Sequence, residues 1–110
     1  MVNQLFPKGM TKVTLADFKT PPEEGAQLTS TSPASAAAGL QSGDVIVALD
    51  GYLVQNDEQY MYVRSLTADP KMQLIVWNAR GYREIAASAP ERRFNVDLRT
   101  YKLRKFRGAK

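Results

Sequence analysis

Histidine and cysteine are both absent from this chain of 110 residues, so any chemistry falls to carboxylates, lysine, serine or tyrosine. The two absences exclude a disulfide framework, a zinc site built on Cys or His, a Ser-His-Asp triad and a Cys-His dyad. No spacing in the sequence couples one of the remaining nucleophiles to a base. The expectation is therefore a protein with no catalytic residues, no metal ligands and no cofactor, and not an enzyme.

The composition, 44% hydrophobic and 24% charged, is that of an ordinary globular domain, and the length allows one modest core. No apolar run approaches the roughly 20 residues that span a bilayer. The opening Met1-Val2-Asn3-Gln4-Leu5-Phe6-Pro7-Lys8 has no basic start leading into an apolar stretch, so no signal peptide is expected. The net charge of +4 is unevenly spread. Residues 1–98 hold 9 Lys/Arg and 11 Asp/Glu, a net of −2, while residues 99–110 hold six basic residues and no acid. The body is slightly acidic, so no nucleic-acid surface is expected on it. The basic end, 99–110, reads as a tail that is linker or disordered, leaving 1–98 as the domain.

Local patterning divides the domain. Met10–Phe18 is rich in β-branched residues and partly alternates, which predicts a strand, and Ala26–Thr31 predicts a second. Ser32-Pro33 starts a short helical turn through Ser35–Ala38, with a serine cap, a proline at the first helical position and Gly39 as the stop. Val45–Leu49 is a buried strand between turn signals, and Asp50-Gly51 predicts a hairpin back into Tyr52–Val54. A longer helix begins at Asn56 or Asp57, has acids in its first turn and stops before Asp69-Pro70. Lys71–Trp77 and Tyr82–Ala87 form a hairpin around Asn78–Gly81. Phe94, Val96 and Leu98 alternate with polar residues, which predicts a last strand.

The stretch from Ser32 to Gly51 reads S-P-A, then A-G-L-x-x-G-D-x-I, then three residues and D-G. It resembles the signature of bacterial PDZ domains, and the order of flanking elements over residues 7–98 is similar to theirs. The closing strand resembles the circularly rearranged form found in bacterial proteases. The fold implied is α+β and mainly β: a small PDZ-like, partly open barrel or sandwich of five or six strands, capped by one short and one longer helix. Within the motif, Gly39, Gly43 and Gly51 serve backbone angles and Asp44 and Asp50 serve turns, so the most recognisable segment specifies fold and binds nothing itself.

The resemblance implies a non-catalytic peptide-binding module, with a groove between the second strand and the longer helix. An extended peptide adds there as a further strand, its backbone giving affinity and its side chains giving preference. A terminal carboxylate would sit on backbone N–H groups of a glycine loop, for which Lys8, Gly9 and Met10 are the match. Lys8 departs from the apolar residue that the family pattern has first. The following edge is Thr11, Lys12, Val13 and Leu15. If Asn56 is the helix cap, Asp57 and Met61 face the groove; a shift of one residue would substitute Glu58 and Tyr62.

The partners implied are a protein or peptide C terminus or an internal extended segment, together with the rest of a parent protein. A larger bacterial protein such as a protease in the cell envelope or periplasm suits the resemblance. A monomer is the simplest state. Two other readings are a scaffolding domain with a degenerate pocket, which Lys8 favours, and a basic tail that contacts anionic membrane or nucleic acid through Tyr101, Leu103 and Phe106.

Overall fold

Residues 2–103 are described in the computed structural model. They form an open, six-stranded antiparallel sheet with helices on one face; the sheet does not close into a barrel. The chain begins with the helical turn α1 (Val2–Leu5) and continues through β1 (Glu24–Leu28), α2 (Pro33–Ala37), β2 (Val45–Leu49), β3 (Tyr52–Leu53), α3 (Asp57–Arg64), β4 (Lys71–Asn78), β5 (Gly81–Ser88) and β6 (Leu98–Lys102). The strand order is β5-β4-β2-β1-β6, with β3 folded back on β2. The mainly β, α+β class expected from the sequence is the one observed, with one short and one longer helix among the capping elements.

The helices begin where short polar side chains replace missing backbone partners. Ser32 caps α2: its Oγ accepts from Ser35 N (3.1 Å), and Ser35 Oγ accepts from Ser32 N (2.8 Å). The Ser32 hydroxyl also donates to the Phe94 carbonyl, which ties this cap to the chain end of the core. Asn56 caps α3 through Gln59 N (2.7 Å). In the Asp50-Gly51 turn both residues are left-handed, at φ 52 and 87, the geometry that matches strand twist in a two-residue hairpin.

The core lies between the sheet and α3, with Phe6, Leu28, Ile46, Val63, Met72 and Phe94 among its buried members. All five residues of β2 are buried because the opposite sheet face is covered too. There Val45, Val47, Ala48 and Ile75 lie under Val13, Phe18, Trp77, Tyr82 and Tyr101. Phe18 packs on Tyr82 with ring centroids 5.0 Å apart, and Tyr82 donates from its hydroxyl to Thr20 O at 2.7 Å. These contacts hold the 13–22 segment against the sheet. Gly25 allows the close approach of β1 to β2: a Cβ there would sit 2.5 Å from Val45 Cγ1 and 2.9 Å from the Ile46 carbonyl oxygen.

Three expectations are corrected. Met10–Phe18 is not a strand: Lys12 makes a single bridge to Tyr52, and Leu15–Asp17 is a 3-10 turn. Asp17 Oδ2 accepts the Thr14 N–H (2.7 Å), which turns the chain, and the exposed Thr11, Lys12, Thr14 and Leu15 leave no apolar row to bury. The second strand ends at Leu28, before Thr29–Thr31. The last strand is Leu98–Lys102 and not Phe94–Leu98. Asn95 is left-handed (φ 58), so the chain cannot stay extended through it, and pairing begins only where Thr29 N donates to Asp97 O (2.9 Å). Strand β6 thus includes residues 99–102, and residues 104–110 lie outside the described part.

Arg92 is 2% exposed and its guanidinium is fully engaged. It donates to Arg64 O (2.6 Å), Asp69 O (2.7 Å) and Lys71 O (3.0 Å), and pairs with the Asp50 carboxylate. Breaking a fully buried ion pair costs about 3–5 kcal/mol, and the 29% exposure of Asp50 lowers the cost of losing Arg92 to about 2–4 kcal/mol. Arg92→Met is expected to destabilise by that amount in urea unfolding, leaving Asp50 and three carbonyls without their donor. An effect below about 1 kcal/mol, within the range of ordinary surface substitutions, would contradict a central role for this residue.

Candidate functional site

The sheet has two edge strands, β5 and β6, and β6 is the edge that runs beside α3. Its register with β1 pairs Glu24 with Lys102, Ala26 with Thr100 and Leu28 with Leu98. Leu103 N donates to Glu23 O (2.8 Å), and Thr29 N to Asp97 O (2.9 Å). These two bonds set the phase: odd-numbered residues of β6 exchange backbone bonds with β1, and the N–H and C=O groups of Leu98, Thr100 and Lys102 point outward. Among the described residues no strand pairs with that edge. A row of unused donors and acceptors is a template for an added strand.

Side chains of β6 divide between two surfaces. Leu98, Thr100 and Lys102 share the face of Ala26 and Leu28, on the α3 side. Arg99 and Tyr101 occupy the other face. Arg99 donates from Nε to Gln27 Oε1 (2.9 Å), and the Tyr101 ring lies 6.2 Å from Trp77. Thr100 also reaches α3, donating from Oγ1 to Asp57 Oδ1 at 3.1 Å.

Helical spacing puts Asp57 and Met61 on one flank of α3, the flank turned to β6. Met61 is 45% exposed. With Asn56 as cap, the first and fifth helix positions are Asp57 and Met61, not Glu58 and Tyr62. The opposite flank holds the N-terminal segment: Gln59 donates from Nε2 to Leu5 O (2.8 Å), and Phe6 packs edge-on against Tyr62 with centroids 5.8 Å apart.

The residues expected to form one site are therefore separated. Asp57 and Met61 look toward a strand edge, but that edge is Leu98–Lys102. The expected groove flank on the second strand is filled, because β6 pairs along the whole of β1. Lys8 and Gly9 lie in a turn closed by Gly9 N to Phe6 O (2.8 Å), with Gly9 left-handed at φ 82. Met10 packs on the core. Thr11 O accepts from Leu53 N, and Val13 N donates to Gly51 O, both at 2.8 Å, so this backbone is paired along β3. Leu15 is in the 3-10 turn. The residues missed by the sequence reading are Leu98, Thr100 and Lys102. Their signal is the continuation of the alternating pattern into Thr100-Tyr101, two strand-favouring residues set among basic ones.

No family model matches the chain, and a search of the curated proteins finds no match either.

Two measurements test this geometry. Ending the chain at Asp97 removes β6, uncovers the β1 edge and is expected to cost on the order of 2–4 kcal/mol from lost burial alone. A truncated protein as stable as the full chain would exclude β6 from the folded sheet. The second concerns Tyr60, on the buried face of α3. Burial pushes its phenol up to about 12, with the Arg64 and Arg92 cations offsetting part of the effect. The unfolded phenol ionises near pH 10 and the folded one near 12, so the unfolded state holds fewer protons across that window and stability falls as pH rises. The loss is roughly 2–3 kcal/mol between pH 10 and 12, read from thermal unfolding at several pH values. Tyr60→Phe should flatten that slope, and an unchanged slope would assign it to other groups.

Proposed function

We propose that this chain is a non-catalytic, PDZ-like protein-binding module that receives an extended segment as an added strand on the outer edge of β6, alongside α3. One observation carries the reading: the outward backbone of Leu98, Thr100 and Lys102 has no strand partner among the described residues, and the Asp57–Met61 flank of a helix runs beside it. The S-P-A…A-G-L-x-x-G-D segment supports it by its resemblance to bacterial PDZ domains, and the order of strands and helices is compatible with that resemblance. A partner strand would take its backbone bonds from β6 and present alternate side chains to α3. Those side chains meet Asp57, a carboxylate suited to a hydroxyl or basic group, and Met61, whose flexible thioether adapts to different apolar groups.

The ligand is an internal extended segment in this reading. Lys8, Gly9 and Met10 belong to the other flank of α3, so a terminal carboxylate gains no N–H cluster at the end of the β6 edge. The scaffolding alternative keeps a specific support: the Thr100–Asp57 hydrogen bond spans the space between strand and helix.

The test is a chemical-shift titration with peptides selected from a random extended library. Affinity is expected to be micromolar, about −8 kcal/mol. Shifts should concentrate at residues 57–64 and 98–102, and amidated and free-acid forms of one peptide should bind alike. Thr100→Pro removes one outward N–H but no bond to β1, so the fold should persist. It should weaken binding at least about tenfold, a difference of 1.4 kcal/mol. Thr100→Val keeps the N–H and should bind like the parent. Failure to select any peptide, or shifts confined to other surfaces, leaves the scaffolding reading.

A further inference from the structure

A cavity of about 470 Å³ opens between the end of α3, the 65–70 loop and the 3-10 turn Pro90–Arg92. Its size falls in the range of small-molecule sites. Arg92 lines it, but that guanidinium is committed to three carbonyls and Asp50 and acts as a fixed wall. Two further arginines, Arg64 and Arg93, line the same cavity. Neither has a carboxylate within ion-pair reach among the described residues; Arg64 rests over the Tyr60 ring, 5.9 Å from its centroid. Thr67 Oγ1 accepts from Asp69 N (3.2 Å) and keeps its hydroxyl hydrogen for another partner. Ala68 and Pro70 supply apolar surface.

The negative end of α3 is already neutralised here. Arg64 O accepts from Arg92 Nε, Met61 O and Tyr62 O accept from Ser65 N, and Val63 O accepts from Leu66 N. The helix carbonyls that would repel an anion are thus occupied, while two guanidinium groups are not. One opposing group is present, the exposed Glu91 carboxylate on the cavity wall. Glu91 and Arg92 are both left-handed, at φ 56 and 60, an arrangement non-glycine residues adopt only when their surroundings enforce it. It turns Arg92 inward and leaves Arg93 exposed on the cavity wall. The cavity beside Gly39 and Gln41 has one arginine, Arg83, tied to Asp44 and the Gly39 carbonyl, and one other on its wall, Arg80, where the cavity at the end of α3 has two, Arg64 and Arg93.

We propose that this cavity binds an oxyanion, carboxylate or phosphate, carried on an apolar body. The guanidinium fork suits both oxyanions, and Ala68 and Pro70 receive the apolar part. The site is separate from the β6 edge and does not depend on strand addition there.

The experiment titrates the whole chain with benzoate, phenyl phosphate and neutral benzyl alcohol, followed by backbone amide shifts. At least one anion should shift residues 64–70 and 90–93 and saturate in the millimolar range, and benzyl alcohol should bind at least about tenfold more weakly. The stronger of the two anions identifies the preferred headgroup. Arg93→Gln should weaken binding roughly fivefold, and Glu91→Gln should tighten it about twofold by removing the like charge. Thermal unfolding of both variants, which alter exposed side chains, verifies that each is folded. Equal binding of benzyl alcohol, shifts elsewhere, absence of saturation or indifference to both substitutions would overturn the proposal.

Discussion

The buried guanidinium of Arg92 is the constraint on which the arrangement depends. It joins four places distant in sequence: the end of α3, the 65–70 loop, the first residue of β4 and the Asp50-Gly51 turn. Lysine could not substitute, because a compact ammonium lacks the planar fork that reaches several acceptors at once. Ion burial is costly unless each hydrogen-bonding group is satisfied, and among the described residues no buried side-chain N or O is without a partner. The left-handed backbone at Glu91 and Arg92 is the local cost of directing this side chain inward. In return α3 is held at its C-terminal end against β4 and the β2–β3 turn.

A second charged plug fixes the other end of the sheet. Asp44, 1% exposed, accepts from Gln41 N (2.9 Å), Asn78 Nδ2 (3.0 Å) and Arg83 (2.8 Å). The two plugs flank β2, whose residues are apolar and buried throughout. Arg92 holds the end of the helix, whose Gln59–Tyr62 flank lies on the N-terminal segment and whose Asp57–Met61 flank lies toward β6. Arg92 at the end of α3 and the Thr100–Asp57 hydrogen bond at its start together set that flank beside the free edge.

Much of this was legible in the sequence, for reasons that particular residues make clear. Ser32, Asn56, Gly39 and the Asp50-Gly51 pair act through short-range chemistry, and the structure uses them at those positions. Val45–Leu49 reads as buried because five apolar residues between turns have few other solutions. What was not legible depends on partners remote in sequence. Thr14 and Asp17 form a cap that breaks a pattern rich in β-branched residues. Gly25 sits where β2 leaves no space for a Cβ, which no neighbouring residue signals. Asp44 and Asp50 do serve turns, but nothing local identifies Arg83 and Arg92 as their partners, at separations of 39 and 42 residues.

The last strand illustrates why alternation alone cannot place an element. Phe94, Val96, Leu98, Thr100 and Lys102 share one phase, so the pattern supports a strand over either half of the segment. Asn95 decides between them, because its left-handed backbone ends any extended run before pairing can begin. The apolar half then fills the core as irregular chain, with Phe94 2% exposed, and the basic half becomes the edge. That division has a consequence for association. Arg99 and Lys102 put two positive charges into a five-residue edge strand, so two such edges repel one another while their backbone groups remain available. Like charge therefore opposes pairing of two copies through this edge, and under the proposed strand addition a segment without that charge is the better match for the same hydrogen bonds.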